Sequence, residues 1–314
     1  MSAADNRFRS VCDPSKGHFV ANPSRYSRRS VPGSVTAADP SAISACVVVR
    51  NEGASMERCL VSLEGVVDEV IVIHDGPCED DTLEIAERHG AQVFVRPLVG
   101  GAEPHRPFSY ERARGDWILN VDADEFLSAA LRAELPALAR RGDASAFEFL
   151  WRIWNGQRYV TDSGPFKRAM FRRDDIRMLG VMQAQELIDG RVVRTQLHLE
   201  HRPGYNNYAL STMASKWRRW ARIQARQFLT DFEEIPKFNY PGTDWPWQRK
   251  LSNRLSPLLP FPYALAITAV MFFRLRSELP LGQALRLAAS IGIYNGMVQA
   301  YVAKYLYLDR GRGR

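Results

Sequence analysis

Cysteine is scarce in this chain. Four cysteines in 314 residues, Cys12, Cys46, Cys59 and Cys78, form no C-x-x-C pair and no zinc spacing. That excludes a disulfide scaffold and a structural zinc site, and a reducing compartment is expected. Acidic residues are the minority charge, 35 against 42 basic, for a net charge of +7. An anionic partner follows: phosphate, nucleic acid or acidic lipid. The first forty residues contain no apolar leader segment, so a secretory signal is not expected there. A Gly-rich phosphate loop is missing from the early chain, which argues against a nucleotidyltransferase. RNA- and DNA-binding motifs are missing as well, so the positive charge is not assigned to nucleic acid.

What is present is a large apolar inventory, 46% of residues, ample for a sizeable core. Residues 1–41, rich in Ser, Pro, Arg and Ala without periodicity, read as a disordered basic arm. From Ile43 apolar runs alternate with amphipathic ones. "ISACVVVR", "EVIVIHDG", "AQVFVR" and "WILNVDADEF" read as buried strands. Between and after them lie "SMERCLVSLEG" with Ser55 as its cap, "DDTLEIAERHG", "FSYERARG" and "SAALRAELPALARRG", which read as helices. Repeated strand–helix units specify a parallel sheet with helices on both faces. Beyond residue 145, "AFEFLWRIW", "FKRAMFRR" and "VRTQLHLEH" read as an antiparallel or mixed extension.

Ligands of open α/β sheets sit at the carboxyl ends of the strands. Arg50, Asn51, Glu52, His74, Asp75, Arg96, Asp122 and Asp124 all fall at such ends. A D-x-D after a buried strand is costly unless its acids are paired or hold a cation. Period two puts Asp122 and Asp124 on one face of the extended chain. Mg²⁺ or Mn²⁺ prefers oxygen ligands and commonly bridges a carboxylate to substrate phosphates.

The stretches "SACVVVRNEGASMERCLVSL", "DEVIVIHDGPCEDDTLEIAERHGAQVFVRP" and "ARGDWILNVDADEFLS" resemble the family 2 glycosyltransferases of GT-A fold, in the bacterial lipopolysaccharide core glycosyltransferase branch. The likeness is strong over about residues 43–130 and thinner to about 205. It implies an α/β fold with a mixed, mainly parallel sheet. It also implies transfer of a sugar from a nucleotide-sugar donor, UDP-linked by default, with Mg²⁺ or Mn²⁺ and inversion at the anomeric carbon. Carried over by position, Arg50, Asn51 and Glu52 hold the nucleoside. Asp75 contacts the base, and Arg106 touches base or phosphate. Asp122 meets ribose or metal, and Asp124 the metal. The family carries an aspartate where this chain has His74. Its His-Glu pair appears here as Gln185-Glu186, which nominates Glu186 as general base, with Asp189 second. His201, at the end of a strand, is a candidate metal ligand or phosphate donor.

From Leu210 the composition shifts. "LSTMASKWRRWARIQARQF" is a basic amphipathic helix with Leu210, Met213, Trp217 and Trp220 in one stripe. Leu255–Phe273 and Leu287–Ala303 carry no charge, yet each falls short of a clean bilayer span of ~20 apolar residues. A re-entrant or interfacial hairpin fits, with Trp217, Trp220 and their arginines on anionic headgroups at the cytoplasmic face of the membrane. A soluble helical subdomain or a dimer contact is the alternative. The division expected is therefore 1–41 arm, 42–209 catalytic domain and 210–314 membrane-associated helices. The acceptor would be a glycan or a polyprenyl- or lipid-linked glycan. Two other functions stay open: a nucleotide-sugar-binding protein without catalysis, and a nucleotidyltransferase.

Overall fold

A computed structural model describes residues 41–160, 165–206, 209–277 and 280–309. The expected arm, up to residue 40, lies outside them. Strand β1 (Ile43–Val49) is buried along its whole length. Its side chains split by parity: Ile43, Ala45, Val47 and Val49 enter the core on one sheet face, Cys46 and Val48 the core on the other. A strand covered on both faces reads as a continuous apolar run for this reason. It lies between β2 (Glu69–Asp75) and β4 (Trp117–Asp122), parallel to both, and β3 (Gln92–Arg96) extends β2 in parallel.

Helices α1 (Gly53–Leu63), α2 (Thr82–Arg88) and α4 (Ala129–Ala139) pack Met56, Leu60, Leu83, Ala86, Leu131 and Leu135 against the first core. Helix α3 (Arg106–Arg112) places Tyr110 in the second. The Ser55 cap is not observed: α1 starts at Gly53, and the Glu52 carbonyl accepts the N–H groups of Ser55 and Met56. Ser128 does cap α4, its Oγ accepting the Leu131 N–H at 3.2 Å.

The expected extension is present. Strand β7 (Phe166–Arg172) runs antiparallel to β4 and to β6 (Ala146–Leu150), and β10 (Val192–His201) runs parallel to β6. "WILNVDADEF" is not one strand. It turns at Ala123–Asp124, and β5 (Glu125–Leu127) crosses to the far edge to pair antiparallel with β10. That register sets His201 opposite Glu125. Sheet order is β3-β2-β1-β4-β7-β6-β10-β5. A second sheet joins β8 (Ile176–Leu179), β9 (Leu187–Ile188) and β11 (Lys237–Phe238).

The C-terminal part is helical: α5 (Leu210–Gln227), α6 (Trp247–Leu255), α7 (Pro260–Leu275) and α8 (Leu281–Ala303). Helix α5 buries Ala221 and Ala225 against Tyr294, Val298 and Val302 of α8. Helices α7 and α8 approach closely at Gly296, where a Cβ would meet the Pro260 carbonyl oxygen at 2.7 Å. No described helix is long and apolar enough to cross a membrane. Yet α7 buries no side chain, and Phe261, Val270 and Phe273 are each more than 60% exposed.

Candidate active site

The register across β1 sets Val49 beside His74 and Val48 beside Asp122. Three strand ends therefore meet along one edge, as expected of this sheet type. A cavity of about 900 Å³ opens there, lined by Arg50, Glu52, Asp75, Arg106, Asp122, Asp124 and His201 among others. These seven residues, all nominated from sequence, thus converge. Asn51 and Glu186 are not on that lining.

Asn51 builds the turn into α1. Its φ is 50°, its N–H donates to His74 Nε2 at 3.2 Å, and its side-chain oxygen accepts the Glu79 N–H at 3.0 Å. The His74 ring is buried, with Nδ1 2.7 Å from the Gly76 carbonyl. These two bonds assign a neutral ring, Nδ1 donating and Nε2 accepting, and burial pushes its pKa down. The histidine at this family position therefore ties the first strand's turn to the second strand's.

Asp75 holds the loop after β3. Its carboxylate accepts the N–H groups of Val99 at 2.6 Å and Gly100 at 2.7 Å, and His105 Nε2 lies 2.8 Å away. Burial pushes its pKa up, but the His105 and loop N–H bonds outweigh it and leave the carboxyl below its ordinary value. Gly100 needs its φ of 88°, a region side chains disfavour,.

The acids at the end of β4 are sorted by partner. Glu125 is fully buried. Its Oε2 accepts the Asp122 N–H at 2.9 Å and faces Lys167 Nζ at 2.6 Å, and its Oε1 accepts Trp151 Nε1 at 2.6 Å. Asp122 has one oxygen 3.2 Å from Arg106 Nη2 and the other 3.0 Å from Lys167 Nζ. Burial pushes the Asp122 carboxyl up, and Lys167 and Arg106 overcome it and hold it far below the usual range. Each Asp122 oxygen thus already has a cation, which leaves Asp124 and His201 as the better-placed metal pair.

Asp124 sits in the turn, with Oδ2 3.3 Å from His201 Nε2. The His201 ring stacks on Trp151 at 4.2 Å between centroids, and its buried Nδ1 has no hydrogen-bond partner. Burial, Asp124 and Asp122 together push the Glu52 carboxyl up to about 8. One oxygen and one imidazole nitrogen side by side, in a cavity lined by groups of both charge signs, fit a divalent cation that keeps part of its shell for substrate. Among the described residues, no three His, Cys, Asp or Glu side chains converge as a complete metal cage.

Glu186 is buried. Its Oε1 is 3.4 Å from Arg106 Nη1, 3.3 Å from the Tyr110 hydroxyl and 3.4 Å from Asn120 Nδ2. It lines a smaller adjoining cavity of about 350 Å³ that shares Arg106, Trp151 and Gln185 with the larger one. Asp189, the second nominee for base, is paired with Arg177 on the surface and lines neither cavity.

Sequence reading gave Glu125 no role and missed Lys167, Trp151, His105 and Lys216. The last comes from α5, with Trp217, Arg219 and Trp220 beside it on the cavity wall. Trp217 and Trp220 are partly buried against the fold. Lys216 is held over the Tyr205 ring, 4.3 Å from its centroid.

The family model of glycosyl transferase family 2 matches residues 44–188. An uncharacterized glycosyltransferase of Rickettsia felis is 44% identical over 118 residues, 38% of this chain and 37% of that protein. The lipopolysaccharide core biosynthesis glycosyltransferase LpsC of Rhizobium meliloti is 32% identical over 105 residues, 32% of this chain and 38% of that protein. The chain thus spans well under half the length of these relatives. Among solved structures, S. aureus TarS 1–349 in complex with UDP covers 84% of this chain and 91% of its own, at 16% identity and a TM-score of 0.43. The assignment rests on the sequence match and on the sheet, not on that distant likeness. Residues 44–188, just under half of the chain, match glycosyl transferase family 2, and curated relatives that match the chain are named glycosyltransferases.

Proposed function

We infer that the protein moves a sugar from a nucleotide-diphosphate donor, UDP-linked by preference, to a hydroxyl of a glycan or lipid-linked acceptor, with inversion. The observation that carries this reading is the Asp124–His201 pair, 3.3 Å apart at the end of β4, in the cavity that also reaches Asp75 and the Gly100–Gly101 loop. The nucleoside would lie toward Arg50, Asp75 and that loop, and the diphosphate toward Asp124. Asp124 and His201 would hold Mg²⁺ or Mn²⁺, which supplies charge neutralisation to the departing diphosphate. Arg106 and Lys167 keep Asp122 ionised and fixed, and Lys216 adds positive charge from the wall.

Glu186 is the proposed base. All three donors sit on its Oε1, which leaves Oε2 to meet an acceptor hydroxyl and take its proton. Inversion then needs a single displacement and no covalent intermediate.

The exposed apolar residues of α7 and α8, Phe261, Val270, Phe273, Leu281 and Leu285, lie on the same two helices as Arg274 and Arg286, with Arg276 just beyond α7. This combination suits the interface of an anionic membrane, which would hold the enzyme at the cytoplasmic face. In this reading residues 42–209 are catalytic and 210–314 membrane-associated, with α5 serving both. Sedimentation with phosphatidylglycerol vesicles and not with phosphatidylcholine vesicles is the expected result; no sedimentation with either removes the membrane assignment.

The deciding experiment is nucleotide release from a panel of UDP- and GDP-sugars by purified protein, with Mg²⁺ or Mn²⁺ and with EDTA. Metal-dependent release from one donor is expected. Donor binding without release would make this a binding protein, and release of diphosphate from a nucleoside triphosphate would make it a nucleotidyltransferase.

A further inference from the structure

The segment that joins β8 to β9, residues 180–186, ends on Glu186. It belongs to neither strand, yet Val181 and Met182 are buried, so its backbone groups need partners other than water. Helix α5 supplies them with two side-chain amides. Gln227 accepts the Met182 N–H through Oε1 at 2.9 Å and donates from Nε2 to the Gly180 carbonyl at 2.9 Å. Gln224 Nε2 donates to the Met182 carbonyl at 2.5 Å, and its Oε1 accepts the Tyr294 hydroxyl of α8 at 2.8 Å. That last bond fixes which way the Gln224 amide faces. Val181 and Ala184 pack with Ala221, Ala225 and Tyr294 around these bonds. Gln183 follows the clamp directly and has a φ of 59°. A residue other than glycine persists there only where its surroundings hold it. The clamp holds Met182 on one side, and Glu103 Oε1 accepts the Gln183 N–H at 3.1 Å. Farther on, Arg168 Nη1 donates to the Glu186 carbonyl at 2.7 Å.

We propose that Gln224 and Gln227 are positioning residues for Glu186. Their clamp on Gly180 and Met182 fixes the path of the chain into Gln183, and that path sets where the Glu186 carboxylate stands. Helices α5 and α8 are then part of the catalytic unit through the backbone they hold, besides walling the cavity. This assignment rests on the reading of Glu186 as base and adds to it the side chains that keep it in place.

The test compares the full-length parent with Gln227→Met and Tyr294→Phe by amide hydrogen exchange. Methionine is similar in length to glutamine and makes neither bond of the clamp. Peptides covering 180–186 should exchange at least roughly tenfold faster in Gln227→Met, while peptides of β1 and β4 keep their rates. Tyr294→Phe should shift 180–186 less and in the same direction. Transfer is then followed with the donor found by nucleotide release and methyl β-glucoside as the acceptor probe. Gln227→Met should lower kcat by roughly tenfold or more, the scale of a small misplacement of a reacting group. Added to Glu186→Gln, it should lower kcat by less than about twofold further, because residues that act as a unit are not additive. UDP with Mn²⁺ should bind Gln227→Met as it binds the parent. Unchanged exchange of 180–186 in Gln227→Met overturns the clamp, whatever the protein transfers. Parental transfer by Gln227→Met overturns its catalytic role. So does a loss that multiplies in full with that of Glu186→Gln, or one accompanied by loss of UDP binding, since the support would then be of the whole cavity. Parental transfer by Glu186→Gln removes the base reading itself, and the positioning role falls with it.

Discussion

Glu125 accepts the backbone N–H of Asp122 through the same oxygen that faces Lys167 Nζ at 2.6 Å. The third acid of the D-x-D-E stretch is therefore a brace beneath the other two. A carboxylate with no solvent exposure is tolerated because Lys167, Trp151 and the Asp122 amide satisfy it. Burial pushes the Glu125 carboxyl above its ordinary value, with Lys167 opposing, and burial pulls Lys167 down but Asp122 and Glu125 outweigh it and leave the ammonium above its ordinary value.

Lys167→Met should be strongly destabilising, because it removes one partner of a buried pair and strands the other. Breaking such a pair costs about 3–5 kcal/mol. Urea unfolding would read this as a lowered midpoint. The double variant Lys167→Met with Glu125→Gln should recover part of the loss, since the stranded charge is gone. A double variant as unstable as the sum of its singles would deny the coupling.

Asp124→Asn should lower metal-dependent nucleotide release by roughly 10²-fold or more, the scale of losing electrostatic stabilisation of a leaving group. The Mn²⁺ dependence of UDP affinity should flatten in parallel. His201→Ala should shift the metal requirement to higher concentration. If both variants bind UDP with unaltered Mn²⁺ dependence, the pair does not hold the ion.

The strand ends were legible because buried parallel strands are written as contiguous β-branched runs, and a run that stops at charge marks its carboxyl end. Arg50, Asp75 and Asp122 could be placed on one edge for that reason. Lys167 could not. It meets Asp122 only through the antiparallel pairing of β4 with β7, which sets Leu119 opposite Met170, and no local pattern encodes that register. The cavity-facing role of helix α5 was not legible for a different reason. Apolar residues at helical spacing beside arginines look the same whether the stripe faces lipid or, as with Trp217 and Trp220, a cavity in the same chain. The turn at Ala123–Asp124 was hidden because "DADEF" continues a strand pattern, and only the pairing of Glu125 with His201 shows the chain has left the sheet's centre.

Glu186→Gln should reduce transfer by roughly 10²–10⁴-fold, the usual contribution of a general base. UDP affinity should stay close to that of the parent, since glutamine retains an oxygen for Tyr110 and Asn120. Acceptor-independent donor hydrolysis should persist, which separates loss of the base from loss of the site. Transfer at the parental rate would return Glu186 to a purely positioning role for Arg106.

Glu103 gives the chain a pH dependence of stability that can be signed. It lines both cavities, and its Oε1 accepts the Gln183 N–H at 3.1 Å. Burial pushes its carboxyl above the ordinary 4.5, with Arg106 opposing. The folded state therefore keeps a proton that the unfolded chain releases. Stability from this group is fullest below 4.5 and declines as pH rises through the interval between 4.5 and the folded value,. Glu103→Gln has no proton to lose and keeps an acceptor for Gln183. Its stability relative to the parent should rise across that interval and level off above it. Urea midpoints of both proteins at pH 4 and pH 8 measure this directly, and a gap that does not widen toward pH 8 would mean that Arg106 and Gln183 compensate the buried charge in full.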